Sequence, residues 1–298
     1  MDHYCWKPYV GWIIPVFMFV LFVGNPVQES WAQGHILSSS EAFFPDQRGN
    51  SWRYRGRIST GLVEQIADET FENISTVKGE DTIDGVKVMV FHDSNPGDQG
   101  PSDSYYRRDA AGLQYYGSKP GTELEKQLVP YQVIRIPIEV SSSFTQLDRH
   151  NLNLGFDIDR DGKHDRVDVL AIVTIVGQRS VTVPLGTYPQ ALEVKAQMNL
   201  TVHLSGKGGI VRGSDTMNAW FVRGIGLVKY DERQLIPTLE HGQKRHIHIT
   251  EELEEVNLVE DGPSFGRSKT PTKGIFARDA FNHKLSQVFL PARLLAHP

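Results

Sequence analysis

The stretch from Asp157 to Asp168 holds the residues whose types and spacing best fit a defined chemistry. Its sequence, DIDRDGKHDRVD, has aspartates at positions 1, 3, 5, 9 and 12 and a glycine at position 6. This is the spacing of an EF-hand calcium loop, in which alternate carboxylates converge on an ion that takes about six to eight oxygen ligands. The glycine permits the sharp turn that this convergence requires.

Each predicted ligand follows from its position in such a loop. Asp165 is expected to act through a water molecule, and Asp168 stands where an EF-hand has the longer glutamate. Lys163 would contribute only its backbone carbonyl. The predicted metal residues are therefore Asp157, Asp159, Asp161, Lys163, Asp165 and Asp168.

An aspartate-rich turn whose carboxylates are simply solvated is the alternative interpretation of this loop. Five carboxylates close together repel one another strongly without a cation, which favours calcium. The flanks predict strands rather than the helices of an EF-hand, because Leu152–Phe156 lacks helical periodicity and a strand pattern follows the loop. We therefore expect a structural Ca²⁺ with the weak affinity, about 10⁻⁴–10⁻³ M, of extracellular modules.

The pair His246 and His248 is a weaker candidate for a metal site. The two histidines share one face of a predicted strand, while Ile247 and Ile249 would face the core. They support a metal-assisted hydrolase only as a remote alternative. Because the chain has neither a G-x-S-x-G nor an H-E-x-x-H motif, we predict a non-enzymatic protein with no catalytic residues.

Alternation with a period of two residues predicts a mainly β fold. From Leu192 to Leu204, apolar residues fall on one face and polar residues on the other. Such a strand would be about 40 Å long at ~3.3 Å per residue, and strands of this length are typical of curved sheets. We therefore predict a single domain on a strongly curved, half-barrel-like antiparallel sheet with few helices.

Other segments give more local predictions. Val169–Val176 is apolar on both faces, which predicts a central strand covered from two sides. Ala219–Tyr230 is expected to be one strand that bends at its glycines. The best candidate for a helix lies within Ile58–Ile74.

The sequence predicts three regions along the chain. Residues 1–32 combine an apolar run, Gly11–Gly24, with small residues at Ser30 and Ala32, a pattern that predicts a signal peptide. A retained N-terminal anchor is the alternative. Residues 40–260 form the predicted β domain, which includes the calcium-type loop 157–168, and 261–298 is predicted to be a flexible C-terminal tail.

The position of the cysteine and the net charge limit the possible cellular location and the possible binding partners. The single cysteine, Cys5, precedes the apolar run, so the predicted product is secreted or periplasmic and is not a lipoprotein. The formal net charge of −5 excludes the basic footprint of a nucleic-acid-binding protein. No second apolar stretch of spanning length follows, so no membrane span is expected after signal cleavage.

Three further stretches resemble motifs of the TapB-like domains, a bacterial envelope family of unknown function. They are Phe44–Tyr54, Val181–Tyr188 and Ala219–Lys229. The resemblance covers about residues 43–258 and implies a fold similar in outline to the lipoprotein-localisation chaperones, with an apolar concave face. It transfers no catalytic residue. The calcium-type loop and the tail depart from the family pattern.

These observations together predict an exported, non-enzymatic envelope protein that acts as a binding or scaffold module with a structural calcium loop. Its expected partner is a hydrophobic ligand or another envelope protein. A periplasmic carrier of lipid or of another hydrophobic ligand is the alternative function.

Overall fold

The structure is a computed structural model that describes residues 36–37, 43–62, 65–206, 208–237 and 244–259. All of these residues belong to the compact unit Gly34–Pro298. The predicted signal peptide, 1–32, and the predicted tail, 261–298, lie outside the described residues. Among the described residues, no helix has the length and apolar character needed to cross a membrane.

Strands make up most of the described chain. They are accompanied by a 3-10 turn at Pro96–Asp98 and by one short helix, α1, at Glu125–Leu128. The strands, in chain order, are β1 Ile36–Leu37, β2 Ser51–Leu62, β3 Gln65–Ile83, β4 Val86–Asp93, β5 Ser102–Asp109, β6 Gly112–Lys119, β7 Tyr131–Arg135, β8 Ile138–Glu139, β9 Ser143–Asn153, β10 Arg166–Val183, β11 Gly186–Leu204, β12 Gly209–Val222, β13 Gly226–Pro237 and β14 Lys244–Asn257.

Twelve of these strands form one antiparallel sheet in the order β7-β6-β5-β4-β3-β2-β14-β13-β12-β11-β10-β9. Each strand pairs with its neighbour in sequence, except that β2 pairs with β14 and so joins the two halves of the chain. Strands β1 and β8 form a separate two-stranded ribbon. The predicted mainly β domain on one antiparallel sheet with few helices is confirmed.

The sheet curls until its two edge strands, β7 and β9, meet. The side-chain amide of Gln146 on β9 donates to the carbonyl of Gln132 on β7 at 2.8 Å. The guanidinium of Arg135 on β7 lies 4.2 Å from the centre of the Phe144 ring on β9. Register shifts interrupt several strand pairs, including β10 with β11. Because such bulges bend strands and increase their twist, they explain how a long sheet can close on itself.

The concave face of the sheet holds the core. On β11 the predicted alternation is confirmed, since Leu192, Val194, Ala196, Met198 and Val202 are buried while the intervening side chains reach solvent. The largest side chains that are fully buried are mostly aromatic. They include Trp52, Tyr54, Tyr106, Tyr115, Phe43, Phe44, Phe91 and Phe221.

Three local predictions are wrong. The helix expected within Ile58–Ile74 is replaced by the β2–β3 hairpin. On β10, Leu170 and Ile172 are each 40% exposed, so this strand is covered on its inner face and reaches solvent on the other. Ala219–Tyr230 is not one bent strand, because a turn at residues 223–225 separates β12 from β13.

Candidate metal site

The loop between β9 and β10 carries the predicted calcium ligands. Asn153 at the end of β9 pairs with Arg166 at the start of β10, which fixes the mouth of the loop. Inside it, Leu154 N–H donates to the Asp165 carbonyl at 2.9 Å, and Asp165 N–H donates to the Phe156 carbonyl at 3.0 Å. These two bonds extend the strand ladder, so the loop is anchored before any side chain contributes.

Asp157 organises the turn at the tip of the loop. Its Oδ1 accepts a hydrogen bond from Asp161 N–H at 3.2 Å, and its Oδ2 accepts one from Gly162 N–H at 2.6 Å. Gly162 has φ +90°, a left-handed conformation that favours glycine. Desolvation raises the pKa of Asp157, but these backbone donors outweigh it and hold that pKa below its ordinary value. The turn is therefore shaped to keep Asp157 ionised.

Asp165 is the buried member of the loop. Its Oδ2 accepts a hydrogen bond from Ile158 N–H at 2.7 Å, and its Oδ1 accepts one from Ser205 N–H at 2.9 Å. Its side chain is fully buried. Asp165 thus joins its own loop to the turn between β11 and β12.

That second turn is part of the site, although no sequence pattern predicts it. Ser205 Oγ donates to Asp161 Oδ1 and Gly206 N–H donates to Asp159 Oδ2, each at 2.9 Å. A Cβ at Gly206 would lie 2.8 Å from the Cβ of Asp161, so glycine is needed for this close approach. From sequence, residues 205–209 are indistinguishable from any glycine-rich strand connection. Only the β10–β11–β12 register brings them to the calcium-type loop.

Three of the predicted ligands converge. One carboxylate oxygen from each of Asp157, Asp159 and Asp165 lies within 4.8 Å of the other two. Asp159 Oδ1 is buried and has no hydrogen-bond donor. Calcium–oxygen distances of about 2.3–2.6 Å place ligands on opposite sides of an ion roughly 4.6–5.2 Å apart, so this cluster has the dimensions of a calcium site.

The carboxylates of Asp161 and Asp168 lie outside that cluster, and the Lys163 carbonyl stays a predicted ligand. Asp161 is exposed and accepts hydrogen bonds from Lys163 N–H and from Ser205. Asp168 belongs to β10, where its Oδ1 accepts a hydrogen bond from Asn151 N–H and its Oδ2 lies 2.8 Å from His203 Nε2. The Asn151 N–H, followed by His203, holds the pKa of Asp168 below its ordinary value.

The histidine pair on β14 lies on the outer face of the sheet. Ile247 and Ile249 are buried, as predicted, and the ring centres of His246 and His248 are 6.3 Å apart. His248 Nε2 is 3.1 Å from Asp231 Oδ2. In the described part of the chain, the group of three acidic, histidine or cysteine residues close enough to share a metal is the aspartate cluster.

The three family-like motifs form a packed corner. Trp52 Nε1–H donates to the Ile225 carbonyl at 2.8 Å, and the Tyr54 hydroxyl donates to the Leu227 carbonyl at 3.0 Å. The second motif reaches the same region through Leu185 N–H, which donates to a carbonyl of β14. The aromatic side chains of the first motif are therefore structural, and they hold the β12–β13 turn.

A cleft of about 240 Å³ lies where the edge strands meet. Arg135, Pro137, Phe144 and Ile175 are among its lining residues. The cleft is smaller than the roughly 300–1,000 Å³ typical of small-molecule sites. It therefore does not support the binding of a lipid-sized ligand at this seam.

Comparison with known proteins leaves the family undetermined. No family model matches the chain, and no curated protein matches it. A predicted lipoprotein of Parabacteroides distasonis ATCC 8503 has 14% sequence identity and a TM-score of 0.34, over 72% of this chain and 98% of its own. A predicted exported protein with YmcC-like fold from Bacteroides fragilis NCTC 9343 has 13% identity and a TM-score of 0.31, over the same shares.

These values assign neither a family nor a function to this chain. The two similar structures belong to proteins described as exported or lipidated. Membership of the TapB-like family stays a prediction. So does the absence of a lipid anchor.

Proposed function

We propose that this chain is an exported, non-enzymatic protein of the bacterial envelope, a binding or scaffold module that holds a structural Ca²⁺. The observation that carries the proposal is the convergence of Asp157, Asp159 and Asp165, with the buried Asp159 Oδ1 left without a donor. Carboxylate oxygens are the ligands that calcium prefers. The two positive charges of the ion would offset most of the negative charge of three carboxylates that otherwise repel one another.

A structural role follows from what the site connects. The cluster draws on the β9–β10 loop directly, and Ser205 and Gly206 tie it to the β11–β12 turn. A bound ion would therefore fasten two neighbouring loops at one end of the sheet. Every contact among these residues stabilises loop geometry, which suits a scaffold rather than a reaction.

Export provides the compartment in which this site would be filled. The apolar run before Ala32 has the composition of a signal peptide. Extracellular modules hold calcium with dissociation constants of about 10⁻⁴–10⁻³ M, an affinity that requires the higher calcium level outside the cytoplasm. A weak site of this kind and an export signal are therefore consistent with each other.

Calcium is expected to raise the melting temperature of the exported protein by about 3–6 °C at a tenfold excess over the dissociation constant. Binding at that excess adds roughly 1.4 kcal/mol, and each kcal/mol shifts the midpoint by about 2–4 °C at this chain length. The measurement is a thermal melt in calcium, in magnesium and in chelator. Equal midpoints in calcium and chelator would reject the calcium site.

Two variants make this test specific. Asp159→Ala should abolish the calcium shift, because it removes one of the three converging carboxylates and leaves no side-chain oxygen in its place. Asp148→Ala is the matched control, since Asp148 is an exposed aspartate on the neighbouring β9. This control variant should retain the full calcium shift. If the control also lost the shift, general electrostatic screening would explain the effect of calcium.

Cleavage after Ala32 predicts that the exported protein begins at Gln33. Intact-mass measurement and N-terminal sequencing of protein recovered from the envelope check this directly. A mass that includes residues 1–32 would show a retained anchor. A mass increased by acyl chains would show that the protein is lipidated.

A further inference from the structure

Two carboxyl groups lie inside the sheet, away from the calcium-type loop. Asp215 on β12 and Glu232 on β13 are 4% and 2% exposed. Asp215 is directly opposite Gln234 in the strand register, and Glu232 is directly opposite Met217. The two acids are therefore diagonal neighbours on the same inward face, within reach of each other's side chains.

The hydrogen bonds at this pair are unequal. Glu232 accepts two, from the Tyr230 hydroxyl at 2.7 Å and from the Gln234 side-chain amide. Neither oxygen of Asp215 has a donor in hydrogen-bonding geometry, although Gln234 and Thr216 N–H lie close to it. Glu232 is therefore solvated by the protein as an anion would be, whereas Asp215 is not.

The side chains directly opposite the pair on the flanking strands are apolar: Met198 on β11 and Ile249 on β14. None of the ion pairs formed within the described ranges includes Asp215 or Glu232. Asp231, which precedes Glu232 on β13, is also acidic, and its charge adds to the repulsion at Glu232.

A third buried acid and two phenols are the other titratable groups near the pair. Glu251 on β14 is 1% exposed and directly opposite Tyr230, which makes it a diagonal neighbour of Glu232. Its carboxylate accepts a hydrogen bond from Gly97 N–H at 3.1 Å. The Tyr230 hydroxyl contacts Glu232 directly, and Tyr106 on β5 lies near enough to affect Tyr230. Burial raises the pKa of Tyr230 well above its ordinary value, so Tyr230 stays neutral at physiological pH. Its hydroxyl can donate a hydrogen bond but cannot balance a second negative charge.

We propose that Asp215 and Glu232 hold one proton between them in the folded protein at neutral pH, carried by Asp215 and donated to Glu232. One proton removes the repulsion of two buried anions and gives the unpartnered carboxyl of Asp215 a hydrogen-bond acceptor. Two ionised carboxylates in an apolar interior without a cation would cost several kcal/mol.

The pKa directions agree with this geometry. Burial, followed by repulsion from Glu232, raises the pKa of Asp215 well above its ordinary value. Burial also raises the pKa of Glu232, although the Tyr230 hydroxyl, followed by the neighbouring carboxyl of Asp215 and the Gln234 amide, opposes that effect. The proton therefore belongs on Asp215.

The shared proton makes the fold sensitive to pH in a defined direction. Because the folded pKa of Asp215 exceeds its unfolded value, its contribution to stability is complete below the unfolded pKa, about 3.9, and is lost as pH rises through the folded pKa. Asp157 and Asp168, whose pKa values are lowered, act oppositely and only at acidic pH. Stability should therefore fall from mildly acidic to alkaline pH, and alkali should loosen β12 from β13.

Infrared spectroscopy tests the proposal in the exported protein. A protonated carboxylic acid has a carbonyl stretching band that ionised carboxylates lack, and we expect this band at pH 7. Asp215→Asn should reduce it by one carboxyl group. In the wild type, the release of one proton should raise the unfolding equilibrium constant by about tenfold per pH unit. Asp215→Asn should make this dependence on pH weaker.

Matched variants separate this pair from other acids. Asp84→Asn changes the same residue type at an exposed position in the β3–β4 turn and should leave the band and the pH dependence unchanged. Glu125, a second buried acid with a raised pKa, contacts Tyr115 and Ser118. Recording the spectra in a Glu125→Gln background removes its contribution to the band.

The proposal is overturned if the protonated band is absent at pH 7, or if Asp215→Asn leaves both the band and the pH dependence intact. Should Asp215→Asn fail to fold, the bands of Glu125→Gln and of Glu125→Gln/Glu251→Gln, in which Asp215 and Glu232 are unchanged, still test the proposal. A band in the Glu125→Gln background that disappears only well above pH 5 supports the shared proton. A band that disappears near the ordinary aspartate pKa contradicts it.

Discussion

Replacing Trp52 by alanine is expected to lower the free energy of unfolding by about 3–5 kcal/mol, the usual cost of removing a large buried aromatic side chain. Trp52 is fully buried, and its indole N–H donates to the Ile225 carbonyl in the β12–β13 turn. The substitution leaves both a cavity and an unpaired carbonyl. Because native proteins are stable by only about 5–15 kcal/mol, the midpoint of chemical denaturation should fall markedly.

Trp220→Ala is the matched control for that experiment. Trp220 is only partly buried and lies on the outer face of β12, where the Lys229 ammonium is 6.0 Å from the centre of its ring. Its removal should cost about 1 kcal/mol, a typical value for a point substitution. An equal loss in the two variants would contradict the assignment of Trp52 as the anchor of the packed corner.

Strands could be predicted from the sequence where one face of the sheet is exposed to solvent. On β11 the alternation of Val194, Lys195 and Ala196 follows the pleat directly, so the buried face is apparent without any partner strand. The length of that strand also indicated curvature, because a long strand in a twisted sheet cannot stay flat. The order of the strands could not be predicted, since the β2–β14 pairing joins segments almost two hundred residues apart.

Prediction failed where local composition and tertiary context disagree. Leu170 and Ile172 look like core residues, yet the curl of the sheet leaves the outer face of β10 uncovered. On β3 the alternation of apolar and polar residues is broken, because Asn73 and Ser75 are polar but buried whereas Ile74 is 37% exposed. Gly56 has no side chain and allows the ring of Phe71 to lie across it, an approach that requires the paired strands.

Only some residues of the candidate site could be predicted from the sequence. Asp157 and Asp159 could be assigned because the loop positions of a calcium motif lie within a few residues of one another. Ser205 and Gly206 could not, because their contact with the loop depends on the return of β11 to the same end of the sheet. Asp215 was also missed, since one acidic residue in an alternating strand gives no sign of which side it faces.

Replacing Asp165 by alanine is expected to destabilise the protein by about 2–5 kcal/mol even in chelator. The side chain is fully buried, and its two oxygens accept hydrogen bonds from Ile158 N–H and Ser205 N–H. Each bond to a charged acceptor is worth roughly 1.5–3 kcal/mol, and the substitution leaves both donors unpaired. Chemical denaturation in chelator measures this loss separately from any effect of calcium.

Asp161→Ala gives the comparison that separates packing from metal binding. Asp161 is exposed and accepts hydrogen bonds from Lys163 N–H and Ser205 Oγ. Asp161→Ala should therefore lower the free energy of unfolding in chelator by only about 1 kcal/mol. Because Asp161 lies outside the converging cluster, its variant should keep the calcium shift, whereas Asp165→Ala should lose it. If Asp165→Ala kept the calcium shift, Asp165 would fasten the two loops without being a ligand, and Asp157 and Asp159 would need other oxygens to complete the site.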